Sequence, residues 1–194
     1  MIVAGIGTDV GKTVVSAVLT LILNGEYWKP IECGDSDSRW MKQLLGKERV
    51  HPSAYRFESP LSPHHAARLE GRKIGMITFP QTAKPLVIEG AGGILVPLAS
   101  DFLSIDLYKT WPGKWILVSK HYLGSINHTL LTLSVLKAMH IKVHGIIFNG
   151  EPNNDSESVI LERADVDFWD RLLPQPLITL DVIKQYGDLW AKHF

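Results

Sequence analysis

Residues Gly5 to Thr13 carry the most legible chemistry of the chain. Gly5-Ile-Gly7-Thr8-Asp9-Val10-Gly11-Lys12-Thr13 follows a short apolar run and leads into a helical one. Glycines let consecutive backbone N–H groups converge on phosphate oxygens, because no Cβ stands in the way. Lys12 adds a mobile point charge for the β- and γ-phosphates, and the Thr13 hydroxyl is placed to ligate Mg²⁺. The helix that follows directs its positive end at the same anion. Five residues separate Gly5 from Gly11, one more than in the common form of such loops. A polyphosphate site is the expectation, with ATP the default nucleotide.

Other residues offer chemistry to that site. Asp37 and Glu89 are the best carboxylates to share Mg²⁺ with Thr13, since Mg²⁺ on a nucleotide keeps several waters and takes few protein oxygens. Alternatively, Ser36 or Asp37 simply caps the next helix. Lys29 lies within apolar Tyr27-Trp-Lys-Pro-Ile31, where a buried cation needs an anionic partner. Gly124-Ser125-Ile126-Asn127 opens a helix with free N–H groups, a second anion site better suited to a carboxylate, with Ser125 as its cap. Asn149 offers one acceptor and a donor pair, which matches the edge of adenine. Cys33 reads as a small buried residue or weak donor lining the pocket.

The elements that must position these groups alternate along the chain. Strands are expected at Ile2–Ala4, Tyr27–Ile31, Leu86–Glu89, Ile94–Pro97, Trp115–Val118, Val143–Phe148 and, more weakly, Pro176–Thr179. Helices are expected at Lys12–Leu23, Asp37–Leu45, Pro63–Glu70, Phe102–Thr110, Ile126–Met139, Ser156–Arg163 and Asp181–His193. The strands carry near-continuous Val, Ile and Leu, as in a parallel sheet covered on both faces. The expected fold is therefore α/β: a P-loop NTPase-like three-layer α/β/α sandwich with a mainly parallel sheet. Ligands of such sheets bind beyond the carboxyl ends of the strands, where the polar and glycine residues above gather.

Composition narrows the partners. A chain of 194 residues suits one domain, residues 1–194, with a sizeable core. Twenty basic residues balance twenty acidic ones, so no global field favours nucleic acid or an anionic membrane. One cysteine precludes an internal disulfide and fits a reducing, cytoplasmic setting. The most apolar run, Val14 to Leu23, is about half the length that spans a bilayer, and no export signal precedes the first strand.

In combination these motifs resemble the dethiobiotin synthetase family. The resemblance rests on the longer phosphate loop, on Lys29-Pro30 with Gly34 and Ser36-Asp37, and on Tyr55–His64 with Glu70-Gly71-Arg72. Glu89-Gly-Ala-Gly92-Gly93 with Pro97-Leu98, and Leu123-Gly-Ser-Ile-Asn127-His128, complete it. It implies an ATP-dependent ligase of biotin biosynthesis that closes 7,8-diaminopelargonate and CO₂ into dethiobiotin. Lys12, Lys29 and Thr8 are then catalytic. Asp9, Val10, Gly11, Lys12, Thr13, Glu89, Gly92 and Asn149 bind nucleotide, and Thr13, Asp37 and Glu89 hold Mg²⁺. Lys29, Cys33 and Gly124 to Asn127 bind substrate, the last four from the second subunit of a homodimer. Asp9 stands where the family often has Glu, and Cys33 where it often has Ser. The competing reading is a switch ATPase of the partition or division-site type, which usually carries another lysine early in its phosphate loop.

Overall fold

The computed structural model describes residues 1–194. Its central sheet has six parallel strands: β1 (Ile2–Gly5), β2 (Glu26–Trp28), β5 (Leu86–Gly93), β8 (Trp115–Lys120), β9 (Val143–Asn149) and β10 (Phe168–Leu172). Their order across the sheet is β10-β9-β8-β1-β5-β2. Two small ribbons lie beside it. One is the parallel pair β3 (Ile31–Cys33) and β4 (Tyr55–Phe57); the other is the antiparallel pair β6 (Pro97–Ala99) and β7 (Phe102–Leu103).

Period-two geometry divides the strand side chains between two cores. Ile2, Trp28, Ile88, Leu117 and Phe148 enter one cluster, while their neighbours Val3, Tyr27, Val87, Val118 and Ile147 enter the other. The second face is covered by α1 (Lys12–Ile22), α2 (Asp37–Leu45) and α7 (Leu180–Trp190), through Val15, Met41, Ile183 and Trp190. The first is covered by α3 (Pro63–Leu69), α4 (Ser104–Tyr108), α5 (Ser125–Ala138) and α6 (Asn154–Leu161), through Ala66, Ile105, Leu136 and Ile160. The expected α/β sandwich with a mainly parallel sheet is thus the observed one. No helix is long and apolar enough to cross a membrane.

Several elements differ from expectation. Tyr27–Ile31 is not one strand: Lys29-Pro30 breaks it, and Ile31 leaves to pair with Tyr55. Proline has no N–H to continue the ladder, so the chain departs there and frees Lys29 for the site. Ile94–Pro97 is mostly turn, because β5 runs on to Gly93 before folding back through β6 and β7. Pro176–Thr179 is a loop, and the last strand is instead Phe168–Leu172. Phe102–Thr110 contributes only the short α4, after Phe102 and Leu103 join β7.

Candidate active site

The phosphate loop is built at the carboxyl end of β1, in the middle of the sheet. Gly11 has φ +98° and precedes α1, whose first turn has no side-chain cap and no acidic residue. Its N–H groups therefore lack internal partners and face the loop, the arrangement that receives an anion. A Cβ at Gly11 would lie 2.5 Å from Asn149 Nδ2, so both backbone conformation and space demand glycine. Lys12 is buried, with Nζ donating to Gly7 O at 2.8 Å.

Beside the loop four predicted residues meet. Thr13 Oγ1 lies 3.1 Å from Asp37 Oδ1 and 3.0 Å from Glu89 Oε1. Lys29 Nζ donates to the same Glu89 Oε1 at 2.8 Å and to Asp37 Oδ2. Glu89 is 1% exposed, and its other oxygen accepts from the buried Tyr27 hydroxyl at 2.8 Å. Asp37 is the first residue of α2, whose cap is Ser36, accepting from Arg39 N. Ser36 thus performs the capping, and the Asp37 carboxylate turns to the site.

The electrostatics follow from this layout. Burial pulls Lys12 down to about 8, with Glu89 opposing it and Lys29 adding to it. Burial acts on Lys29 in the same direction, but Glu89 and Asp37 outweigh it and hold the ammonium above the usual lysine range. Tyr27 is raised, first by burial and then by Glu89 and Asp37, so it remains a phenol that donates. Burial pushes the Cys33 thiol up to about 11, leaving it protonated and unreactive near neutrality.

The oxygen set fits Mg²⁺. The Thr13 hydroxyl has one proton for two carboxylate oxygens, of which Glu89 Oε1 also receives Lys29 Nζ, so Asp37 Oδ1 and the Thr13 oxygen keep lone pairs that a metal ion could take. Two carboxylates and a hydroxyl are hard donors of the kind Mg²⁺ takes in part, beside water and phosphate. No group of three or more His, Cys, Asp or Glu converges anywhere in the chain, so the set here is two carboxylates and a hydroxyl, with the rest of the coordination left to phosphate and water.

The remaining predicted residues lie around this centre. Thr8 and Asp9 are exposed at the loop tip, Asp9 with φ +56° and its carbonyl accepting from Lys120 Nζ at 3.3 Å. Gly92 has φ +61°, and a Cβ there would come within 3.5 Å of Thr8 Oγ1. Asn149 uses one of its two amide protons to donate from Nδ2 to Val10 O at 2.9 Å. The second Nδ2 proton and Oδ1 are left for the edge of a base. Ser125 does not cap α5: Gly124 holds the cap position at φ +100°, with no side-chain hydrogen bond. Within one chain no hydrogen bond joins Gly124–Asn127 to the lysine–carboxylate cluster.

Two supporting residues escaped the sequence reading. Tyr27 precedes Lys29 by two positions, the spacing that puts side chains on one face of a strand. Glu32 is buried; it accepts from Ser38 N at 2.8 Å and Ser53 Oγ at 3.0 Å, and so anchors the turn that carries Asp37. The i−2 spacing was readable for Tyr27, whereas Glu32 gives no local sign.

Comparison with known proteins agrees with this geometry. A family model described as an AAA domain matches residues 1–179. The ATP-dependent dethiobiotin synthetase of Chlamydia abortus is 44% identical, covering 99% of this chain and 94% of its own. That of Cytophaga hutchinsonii is 44% identical over 95% and 93%, and that of Agrobacterium fabrum 39% over 100% and 93%. A ParA family ATPase from Chlorobium tepidum superposes with a TM-score of 0.54 at 14% identity, covering 100% of this chain and 99% of its own, which speaks to the fold alone. With relatives of this similarity matched over nearly the whole of both chains, the chain belongs to the ATP-dependent dethiobiotin synthetase family, a family of ligases.

Proposed function

We propose that the chain uses MgATP to join 7,8-diaminopelargonate and CO₂ into dethiobiotin, releasing ADP and phosphate as a step of biotin biosynthesis. The observation that carries this reading is the convergence of Thr13, Lys29, Asp37 and Glu89 beside a phosphate loop, in a chain 44% identical to a named synthetase. Residues 1–194 are read as one such domain, acting in the cytoplasm.

One substrate amine adds its lone pair to the carbon of CO₂ and loses a proton, giving a carbamate. A carbamate oxygen then bonds to the γ-phosphorus as the bond to the ADP oxygen breaks, giving a carbamic–phosphoric anhydride. The second amine attacks the carbamoyl carbon, phosphate leaves with the bonding electrons, and the amine proton is lost. Catalysis here is chiefly positioning and charge neutralisation, because the phosphoryl transition state is loose.

Each residue has a place in that sequence. Lys12 leaves the Gly7 carbonyl for the β- and γ-oxygens, to which a buried ammonium is strongly attracted. Lys29, held beside both carboxylates, is positioned to neutralise the carbamate and the transferring group. Thr8 and Asp9 line the carbamate side, opposite Gly92, and the protonated Cys33 donates weakly to the substrate. Thr13, Asp37 and Glu89 would hold Mg²⁺, which supplies charge neutralisation across the β- and γ-phosphates when bound. Asn149 Oδ1 accepts from the adenine amino group.

The substrate carboxylate is assigned to Gly124–Asn127 of a second subunit, so the working unit is a homodimer. Exposed Leu95 and Leu131 support this, since they line an apolar groove of about 400 Å³ between α5 and the turn after β5, and exposed Tyr122 adjoins it through its 2.8 Å hydrogen bond to His128. Incubation with the diamine, bicarbonate and MgATP is expected to yield the mass of the cyclic urea, with phosphate release that depends on the diamine. Phosphate release indifferent to the diamine would overturn the assignment.

A further inference from the structure

A cavity of about 390 Å³ begins at Thr13 and continues away from the loop tip along α1. Thr13 and Val14 form its floor, Trp40 of α2 one wall, and Gln175, Pro176 and Ile178 the other. Trp40 lies one helical turn after Asp37, so the two side chains share a face of α2. It is half-buried, packed at its inner edge against the core beneath α1 and α2. The opposite wall follows β10, whose last residue, Leu172, is in register with Asn149. The cavity therefore runs from the end of the phosphate loop to the segment that follows β10.

A nucleotide with its phosphates on Gly11–Thr13 has its sugar and base to place, and this cavity starts where the phosphates end. Beyond Thr13 and Asp37, its lining offers an indole, a proline ring, branched aliphatic groups and one amide. Gln175 is itself tethered, donating to Leu173 O at 3.3 Å and to the Tyr186 hydroxyl at 3.2 Å. A wall of that chemistry suits a flat, uncharged ring and offers no cation for a second anion. Aromatic side chains receive bases through their π faces, whichever base is present.

We infer that Trp40 contacts the base of the bound nucleotide, giving the site its preference for a nucleoside triphosphate over bare polyphosphate. This rests on the nucleotide-binding reading above and adds to it a residue that no phosphate-loop motif includes. Asn149 Oδ1 reads the amino edge of the ring, and Trp40 supplies the hydrophobic surface.

The test is calorimetric titration of the whole protein with MgATP and, separately, with magnesium tripolyphosphate, for wild type, W40A and W40F. Wild type should bind MgATP more tightly than tripolyphosphate. W40A should lose roughly tenfold for MgATP, the size of one stacking contact, and keep its tripolyphosphate affinity. W40F should retain most of the MgATP affinity and lose part of the nucleotide-induced change in tryptophan emission. A W40A protein that binds MgATP as wild type does overturns the inference. So does an equal loss for both ligands, which marks damage to the loop itself, and the thermal unfolding midpoints will show any such damage. Wild type that binds neither ligand fails at the earlier step and overturns the nucleotide reading instead.

Discussion

Lys29, the residue that follows β2, and Glu89, midway along the neighbouring parallel strand β5, form an ion pair of 2.8 Å. The register explains why they meet. Trp28 of β2 is paired with Ile88 of β5, so the next residue of each segment lies at the same level, Lys29 just beyond the end of β2 and Glu89 still within β5. Pro30 then diverts the chain, which keeps Lys29 at that level. The ammonium is almost wholly enclosed, yet it stays charged because Glu89 and Asp37 both face it. Two carboxylates so close would repel each other without it.

Lys29→Ala is therefore expected to separate binding from chemistry. MgATP affinity should change little, whereas dethiobiotin formation should fall at least about a hundredfold, the scale of losing one charge-stabilising donor. Titration calorimetry and a product assay on the same preparation decide the matter. Wild-type turnover would remove Lys29 from the mechanism.

Lys12 should couple nucleotide binding to proton uptake. Burial holds its free-state pKa near 8, so part of its charge is gone above that pH. A bound polyphosphate favours the charged form and raises the pKa again. Binding at a pH of about 8.5 should take up a fraction of a proton, and affinity should decline as pH rises through about 8. Calorimetry in buffers of different ionisation enthalpy measures the uptake. Lys12→Ala should abolish it and weaken both affinity and turnover; uptake unchanged in that variant would point to another group.

Tyr27→Phe removes the hydroxyl that holds the inner oxygen of Glu89 at 2.8 Å. A buried carboxylate oxygen is left without its partner, which should lower stability by about 1–3 kcal/mol in urea unfolding. The Mg²⁺ concentration needed for nucleotide binding should rise as well, since Glu89 is freer to turn. An unshifted unfolding midpoint would show that the phenol contributes nothing to holding Glu89.

Glu32→Ala should act on Asp37 at a distance. Its carboxylate receives the Ser38 N–H and the Ser53 hydroxyl beneath the first turn of α2. Loss of both contacts should raise the Mg²⁺ requirement of nucleotide binding about tenfold, the lower end of effects seen when supporting residues of metal ligands are removed. Glu32→Gln, which keeps an acceptor for Ser38 N, should recover most of it. Equal behaviour of the two variants would mean that the anchoring of α2 does not reach the site.

The loop from Gly5 to Thr13 was legible in the sequence because its glycines answer a local steric demand. Lys29, Asp37 and Glu89 were legible for another reason: charge among apolar residues requires a partner. What escaped depends on contacts distant in sequence. Phe168–Leu172 carries Asp170 and Arg171 in mid-strand, charges that only the distant partners His193 and Glu157 accommodate. Tyr27–Ile31 looked continuous, since only the third dimension shows that Ile31 pairs with Tyr55 and not with the main sheet. Asn149 promised both a donor and an acceptor, but the nearby Val10 carbonyl takes one donor.

The central claim is that the oxygen of a carbamate attacks the γ-phosphate held at Lys12 and Lys29. Turnover with ¹⁸O-labelled bicarbonate in ordinary water, read by mass spectrometry of the inorganic phosphate, tests it most directly. One labelled oxygen should appear in phosphate for each cyclic urea formed, the other remaining in the urea carbonyl. Phosphate released without label, beside labelled dethiobiotin, would contradict it.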